Sequence, residues 1–186
     1  MPALLAYARA VECLLTHVGR IAGWLFLLNV VVICADVITR KLGFQIPGMG
    51  STRLQELEWH LHMALFMLWI GLVYLRNGHV RIDVVVSRLS PRTAAWIEFA
   101  GLLLLALPYC LVLVNYGADF AWKAWTGGEG SESATGLPSR WIPKAVMEFG
   151  LLLLLLAVTA MQARLVVYLF GPPELRDQAR PLSVKG

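Results

Sequence analysis

Apolar positions in this chain come in long blocks, not in the alternation of a half-buried strand. Four blocks stand out: Ile21 to Ile38, Leu57 to Leu75, Phe99 to Ala118 and Phe149 to Gly171. Asp36 is the only charge in the first and Glu58 the only carboxylate in the second; the third has none, and the fourth has only Arg164, seven residues from its end, where a long side chain can reach the membrane surface. A helix rising ~1.5 Å per residue needs about 20 mostly apolar residues to cross a ~30 Å hydrocarbon layer. Each block meets that requirement. The pattern predicts an all-α membrane protein, a single domain over residues 1–186 with four transmembrane helices at about 21–39, 57–76, 95–118 and 145–170.

The stretches between the blocks predict how the helices begin and end. Leu4, Leu5, Ala8, Val11, Leu15 and Val18 recur near a helical period, which predicts an amphipathic lead-in on the cytoplasmic surface, continuous with the first span. No short apolar core followed by a small-residue cleavage site precedes that span, so a retained anchor is expected in place of a signal peptide. Arg40 to Arg53, with Gly43, Pro47, Gly48 and Gly50, reads as a short turn-rich loop, and Ser51 or Thr52 as the cap of the second helix. Asn77-Gly78 is a helix stop. Val80 to Leu89 reads either as a short extended piece or as a surface helix with Val85, Val86 and Leu89 in lipid and Arg81, Arg88 and Arg92 facing head groups. Ser90 and Pro91 suit the start of the third helix, and Pro108 should bend it. The segment GGEGSESATGLP, Gly127 to Pro138, reads as a mobile outer loop or as a docking loop for an outside partner. Pro172-Pro173 ends the fourth span, and the tail over 172–186 is expected to be flexible.

Composition agrees with the pattern: 58% of the 186 residues are hydrophobic and 15% charged, against roughly a quarter charged in soluble domains. The formal charge of +4 is distributed by loop and gives no sign of a nucleic-acid partner. Ten basic residues fall in the N-terminal arm, the second connection and the stretch from Arg164 onward, and six in the other two connections. By the positive-inside rule both termini are expected in the cytoplasm.

Candidate chemistry is sparse. Cys13, Cys34 and Cys110 have no paired spacing, and no phosphate loop or nucleophile motif is present. Glu56 and His60, like Glu58 and His62, are four residues apart and share a helix face. His60 and His62 lie about 200° apart around the helix, whereas a metal needs convergent ligands. They read as a polar turn at the outer membrane edge, and no cofactor or metal is expected. Met63–Gly71, Leu102–Leu113 and Gly150–Thr159 contain no Asp, Glu, Lys, Arg or His, the groups that mark ion pathways. Asn29 is the one strongly polar side chain in the middle of the first span, where it could hydrogen-bond to a neighbouring helix. On its residues alone, the chain reads as a packing and anchoring subunit, with no sign of an enzyme.

The string QELEWHLH, an apolar span, then GHVRIDV, with Arg40 directly after the first span and RWIPKAVMEFG before the last, resembles the small membrane subunit (the Q or DctQ type) of tripartite ATP-independent periplasmic (TRAP) transporters. The resemblance covers roughly Ile21 to Gly171. It implies a multi-pass protein of the bacterial inner membrane with three kinds of neighbour. A periplasmic substrate-binding protein captures an organic acid, a large membrane subunit moves it with sodium, and the bilayer surrounds both membrane subunits. The small subunit is expected to brace the scaffold of the large one and to supply no substrate ligand. Glu56 and Glu58 match the acidic start of the second helix, and His79, Arg81 and Asp83 match the family's H-x-R-x-D string. Structural roles at the subunit interface are what the resemblance implies for these five.

Two other classes fit four apolar helices. A membrane cytochrome would hold haem between histidines on facing helices; His17 and His79 are near one edge and His60 and His62 near the other, but the last two spans have none. Soret absorbance distinguishes it. A small homodimeric exporter would need a central carboxylate in its first span, where Asn29 is the nearest group and Asp36 lies towards the outer end.

Overall fold

The computed structural model describes residues 1–79 and 89–181. Its elements are α1 (Pro2–Leu42), α2 (Ser51–Leu75), α3 (Pro91–Gly101), a π-helical turn (Leu102–Ala106), α4 (Leu107–Thr126), α5 (Trp141–Phe170) and α6 (Pro173–Ala179). Four helices are long and apolar enough to cross a membrane: α1, α2, α5 and the continuous α3–π–α4 segment Pro91–Thr126. No strand occurs among the described residues.

Local sequence accounts for the end of α2 and the start of α3. Asn77 adopts φ 55°, the Gly78 N–H donates to Val73 O at 2.9 Å and the Asn77 N–H to Tyr74 O at 3.1 Å. This is a Schellman stop, with asparagine at the left-handed position. Ser90 caps α3 by accepting from the Thr93 N–H at 3.2 Å, with Pro91 in the first turn. Ser51 departs from expectation: its hydroxyl donates to Asp36 Oδ1 at 2.9 Å instead of capping its own helix. The π turn lies just ahead of Pro108, and within it the Leu107 N–H donates five residues back to Leu102 O. A proline has no N–H to return to the preceding turn, and widening that turn by one residue is one way a continuous helix accommodates it.

The chain forms two compact units. The first comprises Met1–His17, Ile70–Leu113 and Leu152–Gly186. Here α1 and α5 are joined by Glu12 and Arg164, whose oxygen and nitrogen are 2.5 Å apart, and by Tyr7 and Thr159 hydroxyls 2.7 Å apart. Arg164, which by sequence alone could have reached for the membrane surface, is instead paired. Gly71 lets α2 approach α5 closely, since a Cβ there would lie 2.8 Å from Leu153 O. Trp96, Phe99 and Phe170 pack edge to face, with centroids 5.3–6.1 Å apart. Part of the tail is helical and packed. Residues Pro173–Ala179 form α6, held by Leu5, Val167 and Ala179 packing and by an Arg9 to Gln178 hydrogen bond of 2.8 Å. Residues 182–186 lie outside the described residues.

The second unit comprises Val18–Trp69 and Val114–Leu151. Trp69 Nε1 donates to Gly19 O on α1 at 2.8 Å. Gly150 lets α5 meet α2, where a Cβ would fall 2.6 Å from Met67 O. Asn29 is buried, yet its Oδ1 accepts no hydrogen bond, so the inter-helix bond envisaged for it does not form.

Candidate functional site

The densest polar cluster of the second unit is built on the first two turns of α2, whose side chains reach both neighbouring connections. Glu56 is its hub. The carboxylate is nearly fully buried; Oε2 accepts the Leu137 N–H at 2.6 Å, Oε1 accepts the Ser131 hydroxyl, and Arg140 Nη2 stands 3.6 Å from Oε1. Burying an ionised carboxylate is costly unless hydrogen bonds and a counter-charge replace its water, and here both do. Three residues earlier, Arg53 bridges the two connections, donating Nε to Gly136 O at 3.2 Å and Nη1 to Gly48 O at 2.7 Å.

The connection 127–140 is therefore fastened, not mobile. Besides Glu56 and Arg53, the Arg140 N–H donates to Glu129 O at 2.8 Å and the Ser131 N–H to Leu137 O at 3.1 Å. Lys144 pairs with Glu129 at 2.5 Å while its ammonium lies 3.6 Å from the centroid of Phe120. Trp125 and Trp141 stack edge to face at 4.4 Å across the base of the loop.

Asp36 forms the other half of the cluster. It is fully buried, pairs with Arg40 Nη2 at 2.5 Å, and accepts from Ser51, so the end of α1 is tied to the start of α2. Glu58 lies on this side, with Asp36 and Arg40 as its charged neighbours. Its Oε1 is buried and accepts no hydrogen bond. Glu148 on α5 is similar: Oε2 has no partner and the carboxylate rests on Gly117 of α4.

The five motif residues thus have separate fates. Glu56 and Glu58 sit in this cluster; His79 is exposed in the first unit, its ring 6.3 Å from that of Tyr74; Arg81 and Asp83 lie outside the described residues. The histidines diverge as their spacing requires. His60 stacks 4.1 Å from Trp59 with Nε2 buried, while His62 is exposed. No three metal-ligating side chains converge among the described residues. Sequence reasoning missed Asp36, Ser131 and Arg140 as members of the site. The i, i+4 spacing of Asp36 and Arg40 was the one available signal.

A family model described as tripartite ATP-independent periplasmic transporters, DctQ component, matches residues 29–167. The chain belongs to that family. The match runs from the middle of α1 almost to the end of α5, and so takes in the whole Glu56–Asp36 cluster. Neither a curated protein nor a solved structure matches the chain. As a DctQ component with four helices of spanning length, it is a multi-pass membrane protein and a part of a transporter.

Proposed function

We propose that this DctQ component braces the large membrane subunit of a sodium-coupled, binding-protein-dependent transporter of organic acids in the bacterial inner membrane. The observation that carries the proposal is the Glu56 cluster. It spends the chain's buried charges on fixing the ends of its own helices, as a scaffold requires. Meanwhile Met63–Gly71, Leu102–Leu113 and Gly150–Thr159 hold no Asp, Glu, Lys, Arg or His for a substrate or a cation. In this reading the sodium and substrate chemistry belongs to the large subunit. The acidic helix start and the His79–Asp83 string contribute to assembly, and the fastened loop 127–140 faces the periplasm with both termini in the cytoplasm.

The test is co-purification from membranes in mild detergent. The chain should bring down its cognate large subunit in fixed ratio, and Glu58→Ala or Arg81→Ala should lower assembly and uptake without changing substrate preference. A chain that purifies alone, with uptake by the large subunit intact, overturns the proposal. Maleimide labelling of a cysteine placed at Ser133 should succeed from the periplasmic side only; labelling from the cytoplasm reverses the orientation.

A further inference from the structure

The outer surface of α2 does not resemble a surface made for lipid. Gln55, Trp59, His62, Phe66 and Trp69 recur at steps of four and three residues, which places them on one helix face, and all five are exposed. His62 is the twelfth of the 25 residues of α2, which begins at Ser51. Depth follows from the flanking charges. Phe66 is midway between Glu56 and Arg76, and His62 is four residues from it, about 6 Å along the axis. The hydrocarbon half-thickness is about 15 Å. The imidazole therefore stands well inside the apolar layer, away from the outer edge where its sequence context had placed it. It hydrogen-bonds to no described residue.

The exposed face of α1 in the same unit provides the contrast. From Ile21 to Ile38 its exposed positions are only Ile, Trp, Phe, Leu, Val and Cys, a surface with no charged, amide or imidazole side chain for lipid to cover. A histidine at such depth needs a polar partner, because hydrocarbon supplies none. Around it are two tryptophans and a phenylalanine, rigid side chains of the kind that anchor interfaces. The stripe also continues directly from the Glu56 cluster, through Gln55, whose amide donates to Ser51 at 3.1 Å.

We infer that the Gln55–Trp59–His62–Phe66–Trp69 face of α2 is where a membrane-spanning helix of the large subunit docks, presenting a carboxylate or another hydrogen-bonding side chain to His62. This assignment rests on the scaffold reading above and says which face carries it. The α1 face remains lipid-covered.

Site-specific photo-crosslinking tests the assignment. Benzoylphenylalanine is placed at Phe66, at Val31 on α1, or at Tyr116 on α4, in the full chain co-expressed with its cognate large subunit. The Phe66 probe should crosslink to the large subunit and the Val31 probe should not. His62→Leu should lower co-purification threefold to tenfold, while His62→Gln, which keeps a hydrogen-bonding side chain, restores most of it. Crosslinks from Val31 or Tyr116 but not Phe66, or none from any site while the wild-type complex still purifies, overturn the docking face and leave the scaffold reading standing. A Phe66 crosslink to a second copy of the chain replaces the large subunit with a homodimer contact and overturns the assignment. Loss of co-purification in the wild type would remove the scaffold reading itself.

Discussion

At the scale of single residues, Glu56 holds more of the second unit in place than any other described side chain. Its two oxygens serve a backbone N–H, a hydroxyl and a guanidinium that all come from the connection 127–140. Hydrogen bonds to a charged group contribute about 1.5–3 kcal/mol each, and leaving their partners unpaired adds to the cost. Glu56→Ala is therefore expected to destabilise the protein by about 2–4 kcal/mol and to free the loop. Limited proteolysis between Gly127 and Pro138 measures this: cleavage should be slow in the wild type and fast in the variant. Equal rates would mean that the loop is held by other contacts. Little of this was legible in the sequence. Glu56 and Ser131 are 75 residues apart, and the composition of GGEGSESATGLP suggests mobility because small polar residues cannot by themselves announce a partner elsewhere. The same holds for Arg164. Its position in the fourth apolar block suggested a side chain reaching for the surface, but Glu12, 152 residues away, is the group it meets.

At the scale of elements, the helices themselves were legible because their signals are local. Block length fixed the four spans, Asn77-Gly78 the end of α2, and Ser90-Pro91 the start of α3. What block length cannot report is how closely two helices approach. Gly71 and Gly150 mark the contacts of α2 with α5, where backbone oxygens of the opposite helix leave no room for a side chain. Small residues at helix crossings are how membrane helices pack without a hydrophobic driving force between them. Gly150→Leu is expected to force the two helices apart at a cost of about 1–3 kcal/mol, seen as a lower melting temperature in detergent. Leu152→Ala, two residues on at an exposed position of the other side of the helix, should leave the melting temperature nearly unchanged. A destabilisation as large as that of Gly150→Leu would locate the helix contact elsewhere. The tail is the other element composition misjudged. Pro173–Ala179 is short and polar, yet Ala179 is buried against Leu5 and Val167, a contact that only the fold reveals.

At the scale of the whole molecule, the family match over residues 29–167 and the four spanning helices make the chain one component of a transporter. Its two buried charges among the described residues, Asp36 and Glu56, tie helix ends and a loop together. The central claim is that it enables transport without choosing the cargo. The most direct measurement is sodium-driven uptake of a panel of organic acids into proteoliposomes holding the cognate large subunit, with the binding protein added, in the presence and absence of this chain. Uptake should require the chain, and Glu58→Ala should lower the rate for every acid while keeping their ranking. Full uptake without the chain, or a ranking altered by Glu58→Ala, would contradict the account.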